Sequence, residues 1–213
     1  MPESGKNHWE NIYETKQERE VSWFQPYPKT SMDFINSFNL PLNASIIDAG
    51  AGDGHLVEAL IYKGFTNIWA LDISEAAIER SKLRLGKKAS LVNWVVSDIL
   101  EFKTTVQFDL WHDRAAFHFL TAGDQISQYV SIAEKAIKQN GYMIIGTFSE
   151  QGPKKCSGLE IKQYSEESIT AALTISFQKV RCTHEDHVTP FNTHQNFLFC
   201  AFQRTKSPAS QMI

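Results

Sequence analysis

The chain has 213 residues, 42% of them hydrophobic and 21% charged, with a formal net charge of -3 at pH 7. That length supports one large core without covalent staples, and the mild acidity leaves no dedicated basic surface for nucleic acid. Cys156, Cys182 and Cys200 are widely spaced and form neither a CxxC pair nor a zinc-ligand pattern, so no metal is expected and a reducing, cytoplasmic setting is.

The polar start, Met1 to Glu10, does not read as a signal peptide, and the apolar run Phe197 to Phe202 is too short to span a bilayer. Residues 1–40 carry Trp9, Tyr13, Trp23, Phe24, Tyr27, Phe34 and Phe38, apolar weight that predicts a helical lid folded onto the rest. One helix is expected over about Asn7 to Glu18. A second starts near Pro28 or Thr30 and ends before Pro41. Residues 41–204 read as one domain and 205–213 as a frayed tail.

Within that domain the pattern alternates. Ala44 to Asp48 is a strand, Leu56 to Tyr62 a helix, and Ile68 to Leu71 the next strand. Ser74 caps a helix carrying Ala77, Ile78 and Leu83. Leu91 to Val96 and Phe108 to Trp111 are further strands. A helix capped by Thr121 and ended at Asn140-Gly141 precedes the strand Tyr142 to Phe148. Ser165 caps a short helix through Leu173. Phe177 to Thr189 and His194 to Arg204 then form an antiparallel hairpin, on which His187 reads as solvent-exposed, with a place facing the site as the alternative. Strand–helix alternation predicts an α/β fold with a parallel sheet, its ligand at the carboxyl ends of the first strands.

The informative stretch is Ile46-Ile47-Asp48-Ala49-Gly50-Ala51-Gly52-Asp53-Gly54-His55. Glycines between a strand and a helix let the backbone approach a ligand closely. His55 stands where a dinucleotide fingerprint needs a small residue, and no Gly-Lys-Ser/Thr follows. That disfavours a nucleotide-dependent oxidoreductase. Asp48 and Asp53 would repel a pyrophosphate and welcome an amine or a sulfonium. Asp72 ends the second strand, placed to accept from ribose hydroxyls, with Ile73 beside it. Asp98 ends the third, between Ser97 and Ile99, placed to accept from an adenine amine while Ile99 covers the ring.

These residues resemble the class I S-adenosylmethionine-dependent methyltransferases over about Ala44 to Phe148. The resemblance implies a Rossmann-like seven-stranded sheet of order 3-2-1-4-5-7-6, strand seven antiparallel. It also implies S-adenosyl-L-methionine as cofactor, its methionine part held by Asp48, Gly50, Ala51 and Gly52. The start, Trp9-x3-Tyr13 then Val21-Ser22-Trp23-Phe24, is similar to a subgroup that includes eukaryotic protein-lysine methyltransferases acting on elongation factor 1-alpha. That similarity implies that Trp9, Tyr13 and Trp23 help enclose the cofactor. The alternative is that they simply pack the lid.

Methyl transfer needs an aligned nucleophile and a destination for its proton. Trp111 to Leu120 follows the fourth strand and is crowded with titratable groups. A helix from Arg114 would set Arg114 and His118 on one face. His118 is the first candidate for a general base, with a buried structural histidine as the alternative. His112 is second, as base or cofactor contact. Arg114 is placed to hold a substrate carboxylate, with an Asp113–Arg114 ion pair as the alternative. The expected activity is methyl transfer to N, O or S of a small-molecule substrate. A protein-lysine acceptor is the runner-up, and a non-catalytic S-adenosylmethionine-binding protein the second alternative.

Overall fold

The computed structural model describes residues 3–174 and 176–205. In chain order come α1 (Glu3–Thr15), a 3-10 turn (Glu18–Glu20), α2 (Lys29–Ser37), β1 (Ser45–Ala49), α3 (Leu56–Lys63), β2 (Asn67–Asp72), α4 (Glu75–Leu85), β3 (Val92–Val96) and β4 (Phe108–Arg114). A 3-10 turn (Phe117–Phe119) leads to α5 (Gly123–Ala136) and β5 (Ile137–Phe148). The small hairpin β6 (Lys155–Cys156) and β7 (Leu159–Glu160) follows, then α6 (Glu166–Leu173), β8 (Phe177–Val188) and β9 (His194–Arg204).

Seven strands form one sheet of order β3-β2-β1-β4-β5-β9-β8. The first five are parallel, and β9 runs antiparallel to both β5 and β8. Counted among the sheet strands alone, this is 3-2-1-4-5-7-6 with the seventh antiparallel, the order that the family resemblance implied. Adjacent strand residues point to opposite faces. Ile46, Leu110, Ile144 and Phe199 therefore pack beneath α2 and α3, while Ile47, Trp111, Met143 and Cys200 pack beneath α5 and α6. Among the described residues no helix is long and apolar enough to cross a membrane.

Several local expectations are corrected. The first helix ends at Thr15, and Glu18 opens a separate 3-10 turn. Ala122, not Thr121, precedes α5, and α5 ends at Ala136. Fully buried Ile137 has already joined the sheet opposite Phe108, so Asn140, at φ +65, bends a strand rather than ending a helix. Ser74 and Ser165 do cap α4 and α6, accepting from Ala77 N–H at 3.1 Å and Ser168 N–H at 3.2 Å. His187 is buried, not exposed, because its Nε2–H donates to the Ser22 carbonyl at 2.8 Å beneath the N-terminal segment. Thr205 N–H still bonds the Ser176 carbonyl at 3.1 Å. The rest of the expected tail, 206–213, lies outside the described residues.

The cysteines are the largest correction. Cys182 and Cys200 sit directly opposite on β8 and β9, Cα atoms 4.1 Å apart, and are joined as a disulfide. Sequence spacing concealed this, because hairpin register decides which residues oppose each other. The compositional ground for a reducing setting is thereby removed.

The turn after β4 is also not the expected helix. Arg114 is the last residue of the strand, Ala115 takes φ +66, and only the short 3-10 turn follows. Asp113 explains this. Its carboxylate accepts from Ala116 N–H at 3.1 Å, Phe117 N–H at 3.0 Å and the Tyr129 hydroxyl at 2.8 Å. Tyr129 in turn accepts from Trp111 Nε1–H at 2.9 Å. Asp113 is thus spent on the backbone and α5, not on an ion pair with Arg114. Burial raises its pKa to about 6 against the pull of these donors, so it is ionised at neutral pH. Asp113→Ala is expected to cost about 2–4 kcal/mol, since three buried donors lose their acceptor. Urea unfolding at pH 7.5 measures it, and a loss within 0.5 kcal/mol, roughly that of a neutral surface change, contradicts the assignment.

Candidate active site

The carboxyl ends of β1, β2, β3 and β4 open into one cavity roofed by the N-terminal segment. After β1 the chain turns through Gly50 at φ +73 and Gly52 at φ +54, where side chains are strained. Space is equally restrictive. A Cβ on Gly50 would lie 2.4 Å from the Ala116 Cβ, and one on Gly52 would lie 2.4 Å from the Tyr13 hydroxyl. The loop's N–H groups are turned away from a ligand. Gly50 and Ala51 donate to the Leu71 carbonyl at 2.8 and 2.9 Å, and Gly52 donates to the Asp72 carboxylate at 2.8 Å. A phosphate cradle needs those donors free. This loop offers close approach and acids instead.

The acids stand in series along the sheet. Parallel pairing sets Asp48 on β1 opposite His112 on β4. His112 Nδ1–H donates to Asp48 at 2.7 Å, and its Nε2 shares a 2.8 Å hydrogen bond with the Ser31 hydroxyl on α2. Asp72 ends β2, buried, and also accepts from Ser74 N–H at 2.8 Å. Burial lifts its pKa to about 6, the two backbone donors opposing. Asp98 follows β3 and accepts from Leu100 N–H at 2.9 Å. Ile73, Ser97 and Ile99 line the same wall.

The roof is aromatic. Trp9 and Tyr13 lie one turn apart on α1, and Trp23 completes a triangle with ring centroids 5.8 and 6.4 Å from them. Phe119 meets Trp9 at 5.0 Å. Burial, then Asp72 and Asp53, push the Tyr13 phenol well up, so it stays protonated. Glu10 pins α1 by accepting from Ala76 N–H at 3.1 Å. Further along, His55 bridges Glu18 and Glu58, and Arg84 meets the same two acids at 3.2 and 3.0 Å.

All the residues expected to hold the cofactor line this one cavity, as does Arg114. His118 does not. It is 0% exposed, and its Nδ1 accepts from Phe148 N–H at 3.3 Å. Burial, and then Arg114, lower its pKa to about 3. Sequence reasoning missed Ser31 and His55 as wall residues, whereas Phe119, read as wall rather than chemistry, does line the cavity. Ser31 reaches the site only through the packing of α2, which no local motif encodes. Ala115-Ala116 did carry a signal, since small residues beside a glycine turn mark close backbone approach.

Two outcomes follow. Gly52→Ala is expected to lower the melting temperature by several degrees, through left-handed strain and displacement of Tyr13. Adding Tyr13→Phe removes the nearest atom and should recover part of that loss; equal penalties in both backgrounds would exclude the contact. The depressed pKa of His118 means its contribution to stability is complete above about 6.5, the unfolded value, and is lost as pH falls toward 3. His118→Asn, which keeps an acceptor near Nδ1, should therefore show a smaller drop in melting temperature between pH 7.5 and 5 than the parent. An unchanged drop would contradict the burial of a neutral imidazole.

Comparison with known proteins agrees with this geometry. The family described as "Methyltransferase domain" matches residues 42–194. EEF1A lysine methyltransferase 2 of Mus musculus is 29% identical over 159 residues, covering 66% of this chain and 64% of that protein. The match thus spans slightly less than two thirds of that relative's own length. The N-methyltransferase NodS from Bradyrhizobium japonicum, solved with S-adenosyl-L-homocysteine, superposes with a TM-score of 0.69 at 18% identity. That superposition covers 93% of this chain and 100% of NodS. A structure described for the conversion of a disulfide bond into a thioacetal group during echinomycin biosynthesis gives a TM-score of 0.78 at 15% identity. It covers 96% of this chain and 95% of that one. With the loop, the sheet order and the family match in agreement, the chain belongs to the methyltransferase domain family, built on a seven-stranded sheet.

Proposed function

We propose that the chain transfers the methyl group of S-adenosylmethionine to nitrogen, oxygen or sulfur of a small-molecule acceptor. The observation that carries this reading is the make-up of the cavity wall. Asp72 lines it at the end of β2 and Asp98 after β3, Trp9, Tyr13 and Trp23 roof it, and Arg114 lines it at the end of β4, donating to the Trp23 carbonyl. Bound there, the cofactor supplies an electrophilic methyl on a sulfonium.

The chain's own residues do the rest. Asp72, with lone pairs left after its two backbone bonds, accepts from the ribose hydroxyls. Asp98 accepts from the adenine amine, with Ile99 against the ring and Ile73 and Ser97 beside it. Asp48, held in orientation by His112, serves the methionine part together with Gly50, Ala51 and Gly52. The three rings favour a cation through their quadrupoles and exclude water. Arg114 orients the acceptor. His118 sits behind the wall, and an imidazole neutral down to about pH 3 is a poor proton acceptor, so we assign it to supporting the turn rather than to taking the proton.

The protein-lysine reading is favoured by the named relative. Against it stands the buried guanidinium, which raises the cost of bringing an ammonium to the same cavity. Incubation with methyl-labelled cofactor and a whole-cell lysate decides between them. Label is expected in small molecules, and label confined to protein would transfer the assignment to lysine.

Cofactor binding is checked by calorimetry. Asp72→Ala should weaken S-adenosylmethionine binding at least tenfold, and no binding by the parent protein would remove the proposal. The raised pKa of Asp72 also sets a pH dependence. Its carboxyl gains a proton as pH falls through about 6, losing an acceptor and a negative charge. Affinity should therefore fall between pH 7.5 and 5, and the fall should be blunted in Asp72→Ala.

A further inference from the structure

We infer that the acceptor is an organic anion, a small molecule carrying a carboxylate that is gripped by Arg114. This rests on the methyl-transfer reading above and deepens it. Arg114 ends β4 with its guanidinium turned into the cavity wall. One of its amines, Nη1, donates to the Trp23 carbonyl at 3.0 Å. One face of the group lies 4.6 Å from the Phe197 ring centroid. Its other two nitrogens, Nε and Nη2, are buried and have no hydrogen-bond partner among the described residues.

Those two nitrogens are not an arbitrary pair. In a planar guanidinium the Nε–H and one Nη2–H point in parallel from the same edge. That edge matches the two oxygens of a carboxylate. Buried donors left unpaired are costly, and native proteins almost always satisfy them. Here the group that would do so is missing from the chain.

Glu185, Cys156 and Asp48 all act on the guanidinium electrostatically, but none forms an ion pair with it, and Asp48 is engaged by His112 at 2.7 Å. Glu185 is the carboxylate with the strongest pull on Arg114, yet it accepts from Gln25 Nε2 at 2.6 Å and forms no ion pair with the guanidinium. Cys156 lines the cavity nearby, but burial pushes its thiol up to about 12 despite Arg114, so no thiolate balances the charge. His118 and His187 are both driven toward the neutral form by burial and by Arg114. A cationic acceptor would meet repulsion in this corner, and a carboxylate would find a prepared seat.

Position argues for the acceptor rather than for the cofactor's own carboxylate. Asp72 ends β2 and Asp98 follows β3, both on one side of β1, while Asp48 lies on β1 itself, near enough to act on Arg114. Arg114 stands on the other side, stacked on a ring from β9 and beside Cys156 of β6. The cation therefore stands across β1 from Asp72 and Asp98, the acids assigned to the ribose and the adenine.

The experiment separates these possibilities. A small-molecule extract is divided on a strong anion exchanger at pH 8, and each fraction is incubated with the protein and methyl-labelled S-adenosylmethionine. Label transfer is expected with the retained fraction and not with the flow-through. Arg114→Met should reduce that transfer at least about thirtyfold. Arg114→Lys, which keeps the charge without the fork, should fall between the two.

S-adenosylhomocysteine binding by calorimetry, read beside the melting temperatures of both variants, identifies whose carboxylate is held. Affinity within about threefold of the parent supports the inference. A folded Arg114→Met protein that loses S-adenosylhomocysteine binding overturns it and assigns Arg114 to the cofactor. An acceptor in the flow-through, label only in protein, or transfer indifferent to Arg114→Met also overturns it. Failure of the parent to bind S-adenosylhomocysteine would instead refute the methyl-transfer reading itself.

Discussion

The carboxylate of Asp113 is the constraint on which the site depends. It stands at the end of a central strand, fully buried, and holds three donors from two directions. Two of them are the N–H groups of Ala116 and Phe117 in the turn after β4, and the third is the hydroxyl of Tyr129 on α5. Burying an ionised carboxylate is unfavourable in isolation, and its raised pKa records that cost. The return is geometric. The chain leaves β4 at a fixed angle, so Ala116 meets Gly50 and Arg114 enters the cavity wall while His118 passes behind it. A helix beginning at Arg114 would have placed Arg114 and His118 side by side.

The same turn divides charge within a small volume. On the β1–β3 side the wall is acidic, and its backbone donors are already engaged by Leu71 and Asp72. On the β4 side the wall holds a guanidinium with two idle donors. Between them His112 is clamped by Asp48 and Ser31, so neither of its nitrogens is free. Opposite charges kept apart in a shielded cavity act as two selective ends, one for a cation and one for an anion. If Arg114 and Asp48 instead met as an ion pair, both ends would be lost.

Much of this was legible in the sequence, and the parts that were not share a cause. Strand–helix alternation is a local pattern, so the parallel sheet and the ends of β1, β2 and β3 could be read directly, while the sheet order came from the family resemblance that those ends carry. Gly50, Gly52, Asp72 and Asp98 were legible for the same reason, since each follows a recognisable strand. The orientation of residues after β4 was not, because it depends on Tyr129, fifteen residues beyond Arg114 and on another element. The disulfide was hidden because only the pairing of β8 with β9 makes Cys182 and Cys200 opposite. His187 was misread because its partner, the Ser22 carbonyl, belongs to the N-terminal segment. Periodicity reports which face is apolar. It does not report which distant polar group meets which.

That last hairpin has a direct bearing on the guanidinium. Phe197, the ring beneath Arg114, lies on β9 opposite Phe148 of β5 on one side and Glu185 of β8 on the other. A shift of one residue in either pairing would turn Phe197 to the far face of the sheet and bring a neighbour with different chemistry beneath the charge. Pairing with β5 sets the register through buried apolar residues, and the Cys182–Cys200 bond sets it covalently on the β8 side, three residues from Phe197. The antiparallel strand that closes the sheet therefore does more than cover an edge. It supplies the flat apolar surface that holds one face of the guanidinium, so the edge bearing Nε and Nη2 keeps a fixed direction.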